Sequence, residues 1–284
     1  MMVQDFSAFY SRFQVMGVLT AKTAMRIGAG SNRGAAEQDL PVLKDLTGRP
    51  YIPGSSFKGA YRAHLEQLLR SFDSKLACIS VPREEDAGKA NGCLTQGDVT
   101  ALKDVHTGDS DEVLTQAILD RMCWVCRLCG APWFASKLMI RDMPVVEQSW
   151  FNRYLIRDGV AIDRDTETAA NNLYFNFEAI PAGTQFKFEV MIDNANEAEL
   201  GLALLGLREF ENGFVSLGGA RSRGLGHVEL KIEWGDSVWV TRENLKAYLL
   251  DPSTADTLAD ETLRKGYWAK FVAHLNENGG QPHA

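Results

Sequence analysis

The chain contains two strand patterns that are each followed by a helix pattern, and this recurrence restricts the possible folds more than any other feature. Residues 13–19 and 185–192 alternate apolar and polar side chains, as a strand with one buried face does. Residues 56–72 and 198–211 repeat apolar side chains at helical spacing instead, and residues 228–232 form a last strand pattern. The predicted order is therefore strand, helix, a long intervening segment, strand, helix and strand.

This order fits a ferredoxin-like βαββαβ core whose middle is expanded by inserted segments. We therefore predict an α+β protein with a ferredoxin-like, RRM-like palm formed by residues 1–72 and 181–240. Residues 73–180 are predicted to form a large insertion, which holds all five cysteines. Residues 241–284 are predicted to form a C-terminal helical extension and tail.

The helix patterns predict where the helices begin, where they end and which side chains they bury. Ser55 or Ser56 is predicted to cap the first helix after Pro53 and Gly54, and Gly213 is predicted to end the second. The side chains expected to face the core are Phe57, Tyr61, Leu65, Leu68 and Phe72 in the first helix, Leu200, Leu204, Leu207 and Phe210 in the second, and Leu263, Tyr267, Phe271 and Leu275 in the last.

Charge is unevenly distributed along the chain. The 284 residues carry 30 Lys and Arg against 37 Asp and Glu, and this net charge of −7 argues against a general nucleic-acid-binding protein. Residues 22–70, however, have eight basic and four acidic side chains, whereas residues 83–120 have three and nine. Since a partner responds to local fields, a basic segment followed by an acidic insertion is the more useful description.

Composition excludes several classes of protein. Hydrophobic residues make up 45% and charged residues 24%, which is typical of a folded globular chain and not of a disordered or fibrous one. No stretch approaches the roughly 20 consecutive apolar residues of a membrane helix. The first residues show neither the basic nor the apolar region of a secretory signal. A cytoplasmic location with no membrane partner is therefore expected.

The cysteines predict a structural zinc site. Cys123 and Cys126 have the spacing of a zinc knuckle, and Cys78 and Cys93 are the natural distant pair. Alternatively, His106 replaces one of the upstream cysteines, or the cysteines are small buried apolar residues that cluster by chance. A catalytic thiol is not favoured, because no histidine lies close to the cysteine run in sequence.

Two glycine-containing segments could bind phosphate. The start of the first helix offers unpaired backbone N–H groups, and Lys58 and Arg62 lie four residues apart on one face of it. On the charge pattern alone, an ordinary capped helix with a solvated basic edge is the favoured interpretation of this segment. In residues 217–226, LGGARSRGLG, Arg221 and Arg223 stand inside a frame of four glycines, which lets the backbone approach a ligand. A flexible connection is the alternative there.

Taken together, these segments resemble the RAMP superfamily of CRISPR proteins. The resemblance rests on YIPGSSFKGAYR at residues 51–62, CRLCG at residues 126–130 and the late glycine-rich loop, and it covers roughly residues 12–233. More narrowly, DLPVLKD at residues 39–45 resembles the repeated backbone subunit of type III effector complexes. The motifs that resemble the thumb region of that subunit are AIDR at residues 161–164, Phe177-Glu178 and PAG at residues 181–183.

The resemblance implies an endoribonuclease that works within a complex. Its ferredoxin-like palm would polymerise along a guide RNA, and a thumb in the insertion would interrupt the duplex of guide and target RNA. The subunit would cleave target RNA with Mg²⁺ or another divalent ion and with the 2′-hydroxyl of the RNA as nucleophile. Asp39 matches the essential loop aspartate; Glu37 has no motif match, and Asp45 is expected to be a turn residue. The residues predicted to bind RNA are Arg26, Ser55, Ser56, Lys58, Arg62, Arg164, Arg221 and Arg223.

The resemblance also bears on zinc and on the partners. Family members usually have a bulky apolar residue at the position of Cys129, so Cys129 is left out of the predicted ligands Cys78, Cys93, Cys123 and Cys126. Some members, particularly of subtype D, carry a zinc-bearing insertion here, which makes subtype D a candidate. The predicted partners are guide RNA, complementary target RNA, other type III subunits and copies of this chain.

Two other functions compete with this prediction. The first is a non-catalytic subunit of the same fold that only holds guide RNA, with a paralogue performing the cleavage. The second is a guide-processing RNase of the same superfamily, which would generally use a histidine as general base. The early loop contains no histidine, and this weakens the second alternative.

Overall fold

The computed structural model describes residues 6–29, 40–79, 93–162 and 169–277. The strands are β1 (Ser11–Ala21), β2 (Tyr51–Ile52), β3 (Leu138–Ile140), β4 (Met143–Pro144), β5 (Leu155–Ile162), β6 (Ala169–Ala179), β7 (Gln185–Asp193), β8 (Val228–Ile232) and β9 (Val238–Thr241). The α-helices are α1 (Gly54–Phe72), α2 (Gln96–Val105), α3 (Asp111–Arg121), α4 (Trp124–Cys129), α5 (Glu197–Glu211), α6 (Leu245–Leu250) and α7 (Glu261–Glu277). No helix of these ranges is long and apolar enough to cross a membrane.

The palm is an antiparallel sheet in the order β3-β7-β1-β8. Strand β9 pairs with the first half of β1, on the same edge where β8 pairs with the second half. Helix α1 follows β1 and helix α5 follows β7, as the sequence patterns predict. The mixed α/β fold with a ferredoxin-like palm is therefore confirmed. The sheet also contains β3, which lies within residues 73–180 and was not predicted. Its pairing of Leu138 with Ile192 places it at the edge of the sheet.

Aromatic packing joins the two palm helices to the sheet. The rings of Phe57 and Phe210 stack at 4.2 Å between centroids, and Phe57 lies 5.2 Å from Phe188 of β7. The Tyr61 hydroxyl donates to Ala203 O at 2.8 Å. The core therefore lies between β7, α1 and α5, and burial of these rings stabilises it by roughly 2 kcal/mol for each side chain.

The predicted helix faces are confirmed in α5 and need correction at two positions of α1 and at Leu263 of α7, which is 50% exposed. Every predicted core residue of α5 is fully buried, and Gly213 follows the C-cap with a left-handed φ of 71°. In α1 the buried stripe continues by a four-residue step to Leu69, whereas Leu68 is only partly buried and Phe72, in the last turn, is 75% exposed.

The predicted serine cap of α1 is wrong. The helix begins at Gly54, so that Ser55 and Ser56 lie inside its first turn and neither side chain caps it. The Gly54 N–H donates to Asp142 Oδ1 at 2.8 Å instead. A Cβ on Gly54 would lie 2.2 Å from Ile140 O, so only glycine allows the helix to start this close to the backbone after β3.

The C-terminal helix α7 packs on α5. A Cβ on Gly201 of α5 would lie 2.1 Å from Tyr267 O of α7. Phe271 is buried and its ring meets the Trp124 ring of α4 edge-on at 5.6 Å. Helix α7 is therefore joined both to the palm and to the short helix that carries the cysteine run.

Candidate nucleic-acid interface and metal centre

Three segments meet at the end of the sheet where β1 ends and β7 and β8 begin. They are residues 24–29, residues 40–44 and the C-terminal end of β6, and each pair of segments shares a backbone bridge. The bridges are Gly28–Val42, Met25–Ile180 and Leu40–Phe177. A small apolar cluster fills the space between them and the glycine-rich loop: Ala24, Leu40, Phe175, Phe177, Ala179, Ala220 and Leu225.

Backbone hydrogen bonds attach the glycine-rich loop of residues 217–226 to this junction. Gly226 N–H donates to Ala24 O at 2.8 Å, and Gly219 N–H donates to Arg26 O at 2.9 Å. Gly218 has a φ of 82°, and a Cβ there would lie 2.2 Å from Arg26 O, so this close approach requires glycine. The loop is therefore held in one conformation by its own main chain.

The two loop arginines are held outward on a rigid turn. Ala220 and Gly224 adopt left-handed conformations on either side of the 3₁₀ turn Arg221–Arg223. Both arginines are exposed, and neither guanidinium forms an ion pair or a hydrogen bond with any residue the structure describes. Two planar cations that no other described residue neutralises are suited to bind phosphate.

Arg26 lies at the inner side of the same loop. Its guanidinium carbon is 6.0 Å from the Phe177 ring centroid, and one guanidinium nitrogen is 3.5 Å from where a Cβ of Gly219 would lie. The Nε is buried without a hydrogen-bond partner among the described residues, and burial lowers the pKa of Arg26. Arg26 therefore packs against the inner side of the loop whose outer turn carries Arg221 and Arg223.

Glu178 fixes the segment that follows residue 39. Its carboxylate is almost fully buried, accepts from Val42 N–H at 3.1 Å and pairs with Lys44 Nζ at 2.9 Å. Its own backbone N–H donates to Leu40 O at 3.2 Å. Residues 40–44 are therefore attached to β6 through both the backbone and the side chain of one residue.

The predicted catalytic residue Asp39 and its neighbour Glu37 lie outside the described residues, as does Arg164. Asp45 is confirmed as a turn residue: Oδ1 accepts from Thr47 N–H, Thr47 Oγ1 and Arg49 N–H at 2.7–2.9 Å. These bonds, first that from the Thr47 hydroxyl, lower the pKa of Asp45. The carboxylate is thereby occupied within its own turn.

The first helix offers less to a phosphate than its sequence suggests. The Asp142 carboxylate already accepts from the first N–H of α1, and its negative charge disfavours an anion there. Lys58 Nζ donates to Ser136 Oγ at 2.6 Å and to Leu138 O at 3.1 Å, and burial lowers its pKa. No hydrogen bond among the described residues joins Ser55 or Ser56 to the glycine-rich loop.

The four predicted ligands Cys78, Cys93, Cys123 and Cys126 do come together. Their sulfur atoms all lie within 4.8 Å of one another, and those of Cys78 and Cys126 are 3.3 Å apart. In a tetrahedron with zinc–sulfur bonds of about 2.3 Å, the sulfurs are about 3.8 Å apart. Four thiols at such distances fit a metal ion, so this cluster, hereafter the cysteine cluster, could hold one.

Backbone N–H groups support the cluster. Cys78 N–H lies 3.4 Å from Cys123 Sγ, and Cys123 N–H donates to Cys93 Sγ at 3.1 Å. The pKa of Cys123 is lowered because its sulfur accepts hydrogen bonds, first from Cys126 and then from Cys78 and Cys93. The same hydrogen bonds raise the pKa values of Cys93 and Cys126, so the proton is shared unequally among the four thiols.

The two alternative ligands stay apart from the cluster. Cys129 is buried outside it, and burial raises the pKa of Cys129 to about 11, so that it remains a thiol at neutral pH. His106 Nδ1 lies 2.8 Å from Asp109 Oδ2 instead. In the described ranges, the cysteine cluster is the one group of three or more potential ligands that could hold an ion. Among the same residues, no carboxylate cluster for a divalent ion lies beside the glycine-rich loop.

Sequence reasoning noted Glu178 only as part of a thumb-like motif and did not note Asp142, so it missed that these two carboxylates position other segments. Glu178 lies in the run Phe175-Asn-Phe-Glu-Ala179, where a charged residue between apolar ones was a usable signal. Asp142 has no local signal, because the N–H that it caps is 88 positions away in the chain. Their roles depend on which segments the fold brings together.

Comparison with known proteins agrees with this architecture. The RAMP superfamily model matches residues 18–229, more than half of the chain. A protein of Methanothermobacter thermautotrophicus named CRISPR system Cms endoribonuclease Csm3 is 25% identical over 231 residues, covering 78% of this chain and 85% of that protein. The protein of the same name from Methanocaldococcus jannaschii is 26% identical over 222 residues, covering 76% and 77%.

A third relative of the same name, from Mycobacterium tuberculosis, is 40% identical over 60 residues, which is 20% of this chain and 25% of that protein. These names agree with the predicted class, a CRISPR endoribonuclease. The predicted resemblance is confirmed: the chain belongs to the RAMP superfamily.

Proposed function

We propose that this chain is the backbone subunit of a type III CRISPR effector complex, which binds guide RNA and cleaves complementary target RNA. Its relatives carry the name of a CRISPR endoribonuclease. The observation that carries the proposal is the loop that holds Arg221 and Arg223 exposed on its outer turn and packs on Arg26 at its inner side, because exposed guanidinium groups suit an RNA backbone. Other type III subunits and copies of the chain are its proposed partners, in the cytoplasm.

Cleavage is proposed to use a nucleophile that belongs to the RNA. The 2′-oxygen loses its proton and attacks the adjacent phosphorus, the bond to the 5′-oxygen breaks, and that oxygen takes up a proton. A divalent ion such as Mg²⁺ would offset the developing charge when bound. Asp39 is proposed to orient the 2′-hydroxyl in line with the scissile bond. Leu40, the next residue, is fixed to β6 by Glu178, and this attachment supports a defined position for the catalytic residue.

The cysteine cluster is proposed to bind structural zinc. Cys78 and Cys93 precede α2 and α3, while Cys123 and Cys126 follow them. An ion would therefore join the two ends of the segment that carries α2 and α3, and its binding energy would contribute to folding. Subtype D remains a prediction that rests on this zinc.

The test of cleavage compares two neighbouring aspartates in the assembled complex. Asp39→Ala should reduce cleavage of a labelled complementary RNA at least about 100-fold, since a misplacement of the reacting groups by about 1 Å costs that much. Guide RNA content and target binding should be unchanged. Asp45→Ala is the matched control and should retain cleavage, because Asp45 is bound within its turn.

Each reaction is run with Mg²⁺ added and with Mg²⁺ omitted, so that metal held by thiolates is not stripped by a chelator. Unchanged cutting by the Asp39 variant would move catalysis to another residue or subunit. The chain would then be the non-catalytic subunit that only holds guide RNA.

A further inference from the structure

We infer that Arg62 donates a hydrogen bond to a metal-bound thiolate, that of Cys126, and thereby tightens metal binding by the cysteine cluster. The inference rests on the proposed metal site. It gives Arg62 a role other than the predicted contact with RNA, and it links helix α1 of the palm to the metal centre.

All three guanidinium nitrogens of Arg62 have separate partners. Nη2 lies 3.1 Å from Cys126 Sγ, Nη1 donates to Gly130 O at 2.9 Å, and Nε donates to Glu66 Oε1 at 2.8 Å. The plane of the guanidinium is therefore fixed from three sides. Arg62 is mostly buried in this arrangement, with 22% of its side chain exposed.

The charge of the site requires such a donor. Four thiolates around a divalent ion leave two net negative charges, and charged sulfur in a partly buried site is stabilised by N–H donors. Two of these donors are backbone N–H groups, those of Cys78 and Cys123. In the described part of the chain, Arg62 is the one charged side chain that donates to any of the four sulfurs.

Arg62 also orients the cysteine run. Gly130 N–H donates to Cys126 O at 2.9 Å, and Gly130 O accepts from Arg62, so the guanidinium binds both ends of the last turn of α4. Lysine carries the same charge but cannot donate in three fixed directions at once. The arrangement is specific for arginine.

The test measures metal binding by the purified full-length chain with Zn²⁺ and with Co²⁺ as a spectroscopic probe. Arg62→Met should weaken Zn²⁺ binding by about 10-fold or more, as the loss of partners of metal ligands usually does. It should also move the thiolate-to-cobalt charge-transfer band to lower energy, because a sulfur that loses a hydrogen bond releases its electrons more easily. Arg62→Lys should give a smaller change in both measurements.

Two control variants separate this role from folding and from charge alone. Glu66→Gln weakens the ion pair with Nε but leaves the bond to Cys126, so its metal affinity should stay near that of the parent chain. Arg127→Met removes a cation from α4 that is bound to Met122 O and the Trp124 ring, and should likewise change little. Far-UV circular dichroism establishes that each variant is folded.

The outcomes distinguish the inference from the proposed site on which it rests. If the parent chain binds neither Zn²⁺ nor Co²⁺ through four thiolates, the metal site itself is wrong. If the parent chain binds both, but folded Arg62→Met and Arg62→Lys keep its affinity and its cobalt spectrum, the inference about Arg62 is wrong. An equal loss in Glu66→Gln would assign the effect to the Arg62–Glu66 ion pair instead.

Discussion

A single buried carboxylate, that of Glu178, joins residues 40–44 to strand β6. Its oxygens accept from the Val42 N–H and from Lys44 Nζ, and little water reaches them. Removing the carboxylate leaves a buried N–H without a partner, which costs about 2 kcal/mol. Because Leu40 follows the proposed catalytic Asp39 directly, a looser segment should impair cleavage more than RNA binding.

Glu178→Ala is therefore expected to lower the free energy of unfolding by about 2 kcal/mol and to speed hydrogen exchange at the Val42 amide. Glu178→Gln keeps an oxygen for this amide and should have a smaller effect. The Leu43 amide, which donates to Ile27 O, is the internal reference. Unaltered protection of Val42 in the alanine variant would show that the carboxylate does not fix the segment.

Cys129 gives a pH-dependent prediction at the same scale. Its pKa is raised by burial to about 11, whereas a thiol in the unfolded chain has a pKa of about 8.5. Between these values the unfolded state has lost the proton and the folded state has kept it. The contribution of Cys129 to stability is therefore full below about pH 8.5 and is lost as pH rises toward 11.

We expect the stability advantage of the parent chain over Cys129→Ala to shrink by about 2 kcal/mol between pH 7 and pH 10. Denaturant unfolding at both pH values measures this difference in the free energy of unfolding. The titration of groups that both chains share cancels from it. Metal content should be the same in both. Parallel pH curves for the two chains would contradict the assignment of a raised pKa to Cys129.

At the level of single residues, the clustering of the cysteines was predictable from the sequence, but the hydrogen bonds of the basic side chains were not. The x₂ spacing of Cys123 and Cys126, with two cysteines upstream, was enough to predict the cysteine cluster. The partners of Lys58 and Arg62 were not predictable, since Ser136 and Gly130 lie 78 and 68 positions away along the chain. A basic edge on a helix looks the same in sequence whether it faces water or another segment.

Helix α1 shows how one element is placed by a close backbone contact at its first residue. A Cβ on Gly54 would lie 2.2 Å from Ile140 O, whereas Gly59, exposed on the same helix, has open space around it. The two glycines therefore differ in function although both are helical. Gly54 allows contact with the segment after β3, and Gly59 only adds conformational freedom to the unfolded chain.

Substitution by alanine separates these two roles. Gly54→Ala should lower the free energy of unfolding by about 2 kcal/mol because the backbone of α1 must shift. Gly59→Ala should raise it by about 1 kcal/mol through helix propensity. Both effects are read from chemical denaturation, and equal effects at the two positions would show that the contact with Ile140 does not constrain α1.

Among the elements, the long ones with clear periodicity were predictable and the short ones were not. Strands β1, β7 and β8 and helices α1, α5 and α7 occupy the ranges that their patterns predict to within a few residues. Strand β3 has three residues, too few to display an alternation, and it exists because the β7 edge is available to pair with it. Its pairing is a property of the assembled sheet.

At the scale of the whole molecule, opposite charges are carried by different parts of the fold. The exposed acidic side chains of α2 and α3 belong to the segment between Cys93 and Cys123. Two exposed arginines, Arg221 and Arg223, belong to the loop after α5, which is attached to residues 24–26. A chain with a net charge of −7 can therefore present a local cationic surface to RNA.

Because the cationic surface is local, removing its arginines should reduce the salt dependence of RNA binding. Removing Arg221 and Arg223 together should weaken guide RNA binding and reduce the slope of log K against log salt by about 1.4, which is about 0.7 for each phosphate contact with a single strand. The fold should persist, because backbone bonds from Gly219 and Gly226 hold the loop. Binding is measured by fluorescence anisotropy over a range of NaCl concentrations, with guide RNAs of unrelated sequence.

The matched control removes two exposed lysines, Lys246 of α6 and Lys265 of α7, from the C-terminal extension. It changes the net charge by the same amount, so a general electrostatic effect would lower binding equally in both double variants. We expect the lysine variant to keep the salt slope of the parent chain. The arginine variant should lose affinity similarly for every RNA sequence, because phosphate contacts carry no sequence information. Equal slopes in the two variants would remove the loop from the RNA surface.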